Sequence, residues 1–432
     1  MFKTLKEAFK IKEIRNKILL TLLLLLIYRI GCWLPVPGIL VSTFQAETGN
    51  SDFLGIISAV SGNALSNGAI LALGVVPYIN ASIIIQLLTV AIPALERISK
   101  QGEDGKKKIS LYTRIAALIL AFAQAIGIVA SFGAASLDTT AIPQAWLVGT
   151  IVVLILVAGA MFTVWLGEKI TNSGVGNGLS LLIFVGLLSS AGQAIFENIA
   201  GLSENIDNIW NLLIFLAAVV LIFGLIVWVD TAERKIPVQY AKQIKGRKMY
   251  GGQSTNIPIK VNATGVMPII FANAFLAFPQ LIMSIFWYDT NPGSAYMWYS
   301  EYLGAGSWAY GVLTAVLILL FAYFYSRISF NPEDISRQMQ QNGGFIHGYR
   351  AGKPTAEYLQ KVSDRITLFG AIFLAFIALV PTLVFTGIGG STGSLVNAFS
   401  ATGLLIVVSV ALELEKQLEA QMLTRNYKGF LK

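Results

Sequence analysis

Long runs of apolar residues, rather than amphipathic stripes, dominate the chain. They recur at about 17–36, 70–92, 112–134, 146–167, 179–197, 210–230, 265–287, 307–328, 365–388 and 393–412. Each is close to the roughly 20 residues a helix needs to cross a bilayer, so the pattern predicts ten membrane-spanning helices. The polar positions between them are segregated by sign. Basic residues gather in alternate connections: six up to residue 17, six in 93–114, Lys169, seven in 232–262, six in 327–365 and four after 412. The five other connections hold acids only: Glu47, Asp52, Asp138, Glu197, Glu204, Asp207, Asp289 and Glu301. Basic residues stay on the cytoplasmic side. Both termini are therefore expected inside, which requires an even number of spans.

Composition agrees. Of 432 residues, 55% are hydrophobic and 12% charged, against about 25% charged in an ordinary soluble domain. A soluble fold, a disordered chain, a coiled coil and a basic nucleic-acid-binding domain are excluded. The net charge of +8 resolves into 30 basic and 15 acidic residues in the cytoplasmic segments, eight acids outside, and Arg29 within the first span. A single cysteine, Cys32, argues against a disulfide framework, and a single histidine, His347, against a multi-histidine metal site. No metal and no cofactor are expected. Residues 1–16 place Phe2, Leu5 and Phe9 on one helical face among lysines, which suits a helix lying on an anionic inner membrane surface. Arg29 stands where a leader's cleavage site needs a small residue, so cleavage is not expected.

The chain also carries an internal repeat. Gly74-Val75-Val76-Pro77-Tyr78-Ile79 and Gly265-Val266-Met267-Pro268-Ile269-Ile270 both read G-V-x-P-x-I. Each opens the second span of a five-span half, and an odd number of spans per half makes the repeat inverted. Inverted repeats place the functional site near the midplane, between the halves. The halves are expected at 17–197 and 198–412, with a cytoplasmic tail at 413–432. Before Pro77 lies a stretch rich in glycine, serine and asparagine, too polar to face lipid, and it follows an outer connection. It predicts a short re-entrant helix at about 58–72. Such backbone is tolerated at membrane depth only inside protein or beside a water-filled cavity.

No Asp or Glu falls in the middle of any predicted span, and Arg29 is the one intramembrane charge. Ion- or proton-coupled transporters place titratable groups there, so their absence favours a passive conduit over a solute transporter, the rival reading. No potassium-filter sequence is present. The polar residues that do enter spans are uncharged: Asn80, Ser82, Gln86, Gln124 and Asn273. They suit interhelical hydrogen bonds or a seam between helices that must part. The string Gly174-Val175-Gly176-Asn177-Gly178 has no strand before it and no Lys-Ser/Thr after it. It reads as a tight turn and not as a phosphate loop. The two long inner loops, about 232–263 and 329–364, are basic and rich in turn residues, as partner-binding platforms are.

These residues closely resemble the SecY/Sec61-alpha family, whose bacterial members are the channel subunits of the Sec protein translocase. The likeness runs through essentially the whole chain. Its marks include Arg29-Ile30-Gly31, Pro35-Val36-Pro37-Gly38, Pro77 through Leu88, Gly105 through Ser110, Gly176 through Ser180, Gln253-Ser254-Thr255, Pro258 through Asn262, and Gly403 through Val408. The resemblance implies an all-α polytopic fold of ten spans, an hourglass pore, a plug helix and a lateral gate formed by spans two, three, seven and eight. It places the pore ring on Ile79, Ile83, Leu182, Leu187, Ile270 and Ile406, with leucine at two positions where the family mostly has isoleucine. It places the plug on Ser61, Gly62, Asn63, Ala64, Leu65, Ser66, Asn67 and Gly68, and the gate's polar residues on those named above. Docking of a SecA ATPase or of the ribosome falls to Arg247, Lys248, Arg350 and Lys353. The neighbourhood of Arg350 departs from the family by one extra residue before Gly352. The implied function is a protein-conducting channel, not an enzyme, in the bacterial plasma membrane. The implied partners are SecE and SecG as membrane subunits, SecA, the ribosome with its nascent chain, signal sequences and a bilayer containing anionic lipid.

Overall fold

The computed structural model describes residues 7–42, 45, 58, 61–132, 144–201, 208–240, 243–245, 248–250, 254–262, 265–286, 295–303, 307–388 and 401–429. Ten helices coincide with the ten apolar runs. They are α1 (Lys12–Gly31), α2 (Val76–Ala91), α4 (Glu103–Phe132), α5 (Ala145–Ser173), α6 (Gly178–Gly201), α7 (Asn208–Thr231), α8 (Met267–Phe286), α10 (Trp308–Ser329), α12 (Lys353–Ile388) and α13 (Ala401–Gly429). Shorter helices lie between them: α3 (Pro93–Ser99), α9 (Ala295–Leu303) and α11 (Pro332–Gln341). Among the described residues six helices are long and apolar enough to cross a membrane, or seven if the bent pair α2–α3 is one span. The first helix falls short because Arg15, Lys17 and Arg29 interrupt it. This is a multi-pass membrane protein.

The elements break where local chemistry requires. Ile92, the residue before Pro93, is extended, and α3 turns away from α2 by 106° because proline disfavours the α conformation in the residue before it. Between α5 and α6, Gly176 has φ +86° and Asn177 Oδ1 accepts from the Leu179 and Ser180 amides at 3.2 and 3.4 Å. The glycine string is thus a turn and a helix cap.

Where a plug helix was expected at about 58–72, residues 61–75 form a succession of turns. The reason is steric. Gly62, Asn63, Gly68 and Gly74 all take positive φ, from +53° to +72°, which no α-helix accommodates. Side-chain and loop contacts hold the segment instead. Ser58 and Ser66 share a hydroxyl contact of 2.6 Å, and the Val36 amide donates to the Gly68 carbonyl at 2.8 Å.

The two long basic loops are not separate irregular platforms. Strand β1 (Glu233–Tyr240) pairs antiparallel with β4 (Ser254–Lys260) and with β5 (Gly344–Phe345), in the order β4-β1-β5. One small sheet therefore joins both loops, and β2 (Gln243–Lys245) pairs antiparallel with β3 (Lys248–Tyr250) in a two-stranded sheet of its own. Alternation explains the strand: Ile236 and Val238 are buried while their neighbours are more exposed. They pack with Ile259, Met339, Ile346 and Leu359 in an apolar cluster of their own. Of the predicted amphipathic terminus, Phe2 and Leu5 lie outside the described residues and Phe9 is exposed. Ala8 and Ile14 are buried against Val175 and Leu418.

Candidate pore and gate

The internal repeat sets the geometry. Gly74 and Gly265 take φ +53° and +60°, and each turns the chain into a helix that begins two residues later, at Val76 and Met267. Pro77 and Pro268 occupy the second helical position, where a proline's missing N–H costs nothing. The Ile79 amide donates to the Val75 carbonyl at 3.0 Å, and the Ile270 amide to the Val266 carbonyl at 3.2 Å. The two copies match residue for residue, and each ends on a ring candidate.

Those candidates converge. Leu182, Leu187 and Ile406 are buried in one apolar cluster with Tyr28, Ala64, Leu71 and Val75. Ile83 is buried in a second, with Phe271, Ile318 and Leu405. Ile79, Ile270 and Val266 are half-buried and pack against both clusters. The six predicted ring residues thus lie where the halves abut, with Val266 as a neighbour the sequence reading did not single out. It is the counterpart of Val75 in the repeat, which was the signal available.

The plug candidates sit beside them. Ser61, Gly62, Ala64, Leu65 and Gly68 are buried, while Asn63, Ser66 and Asn67 are partly so. Ala64 shares the cluster of Leu182, Leu187 and Ile406, whereas Leu65 packs with Val36, Ile39 and Leu156. The Arg29 guanidinium donates through Nη1 to the Gly62 carbonyl at 3.1 Å, and Asn63 Nδ2 donates to Gln193 Oε1 at 2.8 Å.

Across the other side of the junction, α2 packs on α4, α4 on α8 and α8 on α10, with α2 also touching α8. Gln124 is 7% exposed; Asn80, Ser82, Gln86 and Asn273 are half-buried. Gln86 Nε2 donates to Ser82 Oγ at 3.2 Å. The Tyr325 hydroxyl on α10 donates to Gln86 Oε1 on α2, and the ring of Phe271 on α8 meets the Tyr325 ring edge-on at 4.9 Å. Tyr325 lies among apolar and aromatic residues and gave no sequence signal beyond an ordinary packed aromatic.

The docking candidates lie on the loops. Arg247 falls outside the described residues, and Lys248 opens β3. Arg350 and Lys353 are exposed. The backbone around them is fixed: Thr355 Oγ1 donates to the Arg350 carbonyl and Ser336 Oγ to the Gly352 carbonyl, each at 2.7 Å. Stacking of Tyr349 on Tyr358, 4.2 Å between ring centres, holds the turn to α12.

Fold and site together define a multi-pass membrane protein whose two halves, related by an inverted repeat, meet at an apolar junction. A family model of SecY matches residues 69–414. The protein translocase subunit SecY of Streptomyces coelicolor is 40% identical over the whole of both chains, and that of Mycobacterium bovis is 40% identical over 99% of each. The backbone resembles a solved structure described as a protein-conducting channel, with a TM-score of 0.68, 19% identity and coverage of 95% of this chain and 93% of that one. The chain belongs to the SecY family.

Proposed function

We propose that the chain is the channel subunit of a bacterial protein translocase. It passes unfolded secretory polypeptides across the plasma membrane and releases apolar segments sideways into lipid. The observation that carries this reading is the convergence of Ile79, Ile83, Leu182, Leu187, Ile270 and Ile406 at the junction of the halves, with Ala64 packed in the same cluster. Branched apolar side chains at a constriction resist ions by dewetting, while their flexibility lets them close around a passing chain. Residues 61–68 act as the plug beside that ring. The seam of α2, α4, α8 and α10, with Asn80, Ser82, Gln86, Gln124 and Asn273 along it, is the lateral gate. The ten helices all span, with both termini inside. Arg247, Lys248, Arg350 and Lys353 receive SecA or the ribosome, and SecE and SecG complete the membrane complex. Energy comes from these partners, since a channel of this kind performs no chemistry of its own.

The test is a trapping cross-link. In a Cys32→Ser background, Ile270→Cys is offered a stalled precursor carrying one mid-chain cysteine, with SecA and ATP. An ATP-dependent disulfide at position 270, absent from a lipid-facing control at Val220→Cys, is the expected result; Val220 is 71% exposed. No cross-link there, nor at Ile79→Cys or Ile406→Cys, with the precursor demonstrably engaged, overturns the pore assignment and favours the transporter.

A further inference from the structure

Arg29 has no role in the pore as described, yet a cation within a membrane span is costly and is retained for a reason. Among the described residues no carboxylate pairs with it. Its guanidinium instead reaches the Gly62 carbonyl at 3.1 Å. At the C-cap of α1, Cys32 Sγ lies 3.8 Å from the Ser61 carbonyl. On the opposite side, α6 presents its backbone at Gly186 and the Gln193 amide, which accepts from Asn63 at 2.8 Å. Gly62 is wedged between the two helices. A Cβ there would meet Arg29 Nη1 at 2.5 Å and Gly186 Cα at 3.0 Å, in a backbone already at φ +72°. Three consecutive residues, Ser61, Gly62 and Asn63, are thus each gripped by α1 or α6.

We propose that Arg29 is the positioning residue of the plug: by holding the Gly62 carbonyl between α1 and the Gly186 backbone, it keeps residues 61–68 beside the ring until a passenger displaces them. The proposal rests on the reading of 61–68 as the plug. The physics favours a latch over a permanent rivet. A backbone carbonyl is a neutral acceptor, and a passing polypeptide supplies the same group repeatedly. The guanidinium can therefore exchange one carbonyl for another without being left unpaired in a low-dielectric interior. A carboxylate partner would have bound it too tightly for such exchange.

The experiment reads resting leak. The channel, assembled with its membrane partners, is placed in vesicles and efflux of iodide is followed without precursor. Arg29→Ala is expected to leak roughly ten- to a hundredfold faster than the parent, the weight of a hydrogen bond to a charged group. Arg29→Lys, which keeps the charge but not the planar fork, is expected to fall between them. A short bismaleimide joining Asn63→Cys to Gln193→Cys, in a Cys32→Ser background, is expected to restore tightness to Arg29→Ala. A merely structural defect in α1 would not be repaired by that linker. If Arg29→Ala does not assemble with its partners, Arg29→Gln is read in the same way. Two results separate the ideas. Deletion of 61–68 leaking while the Arg29 variants stay tight overturns the latch alone. Deletion of 61–68 staying tight overturns the plug reading beneath it.

Discussion

At the scale of the residue, two of the proposed ring positions could be read from a repeated motif. Ile79 and Ile270 close the two copies of G-V-x-P-x-I, and the glycine and proline that aim them are the residues such a bend requires. The partner of Gln86 was not readable. A tyrosine in an apolar run is most often a packed ring, and only the fold brings Tyr325 to the Gln86 amide across 239 positions of sequence. The two residues sit on helices from opposite halves, so under the proposed gate their bond exists only while the seam is shut. Tyr325→Phe keeps the edge-on packing with Phe271 and removes the hydroxyl. The closed seam should lose about 1 kcal/mol, or about fivefold in its equilibrium with the open form. Export of a reporter whose signal sequence has been shortened by two leucines should rise several-fold, while export with a full-length signal barely changes. Unchanged or reduced export of the weak-signal reporter would show that this bond does not hold the seam.

Among the elements, long uniform runs announced themselves and short exceptional ones did not. Ten helices were legible because burial in lipid demands unbroken apolar length. The small sheet was hidden, although the alternation at Ile236 and Val238 and at Ile257 and Ile259 was present. Its third strand, β5, lies far along the sequence from β1 and is only two residues long. Residues 61–75 were expected to be helical and form turns instead, because four positive-φ residues mattered more than the segment's length. The loops' rigidity has its own devices. Asn331 caps α11, its side chain accepting from the Glu333 and Asp334 amides at 3.2 and 3.5 Å, with Pro332 at the first turn. Asn331→Ala should destabilise α11 by about 1 kcal/mol. Amide exchange in Glu333–Gln341 should accelerate about fivefold, with the membrane helices unchanged. An unaltered exchange rate would mean that packing on α12, and not the cap, holds this helix.

For the whole molecule, the distribution of contacts predicts which motions the channel tolerates. Within the amino-terminal half, α4 and α5 are tied by Arg114 Nε to Glu168 Oε1 at 2.7 Å, and their apolar faces share one cluster with Val36, Ile39, Leu65, Ala72 and Leu73. Within the other half, α7, α8, α10, α12 and α13 share another, which Ile83 and Ala194 of the first half also join. Between the halves the described contacts are α6 on α13, α4 on α8 and a slighter touch of α2 on α8, with the ring residues, Gln86 with Tyr325, and Val175 against Leu418. Packed interiors shift as units and interfaces yield first, so a passage through the middle opens by moving one half against the other. A short bismaleimide bridging Gln86→Cys and Tyr325→Cys ties the halves together. It should stop precursor export almost completely, and cleavage of an otherwise identical reducible linker should restore it. The same reagent between Arg114→Cys and Glu168→Cys joins two helices of a single half and should leave export within about twofold of the unlinked protein. Both double variants are measured before linking, so the loss of the native bonds is already in the baseline. If the bridge across the seam leaves export intact, the halves need not part for a chain to pass. If the bridge within the half blocks it, that half is not the rigid body its shared core implies.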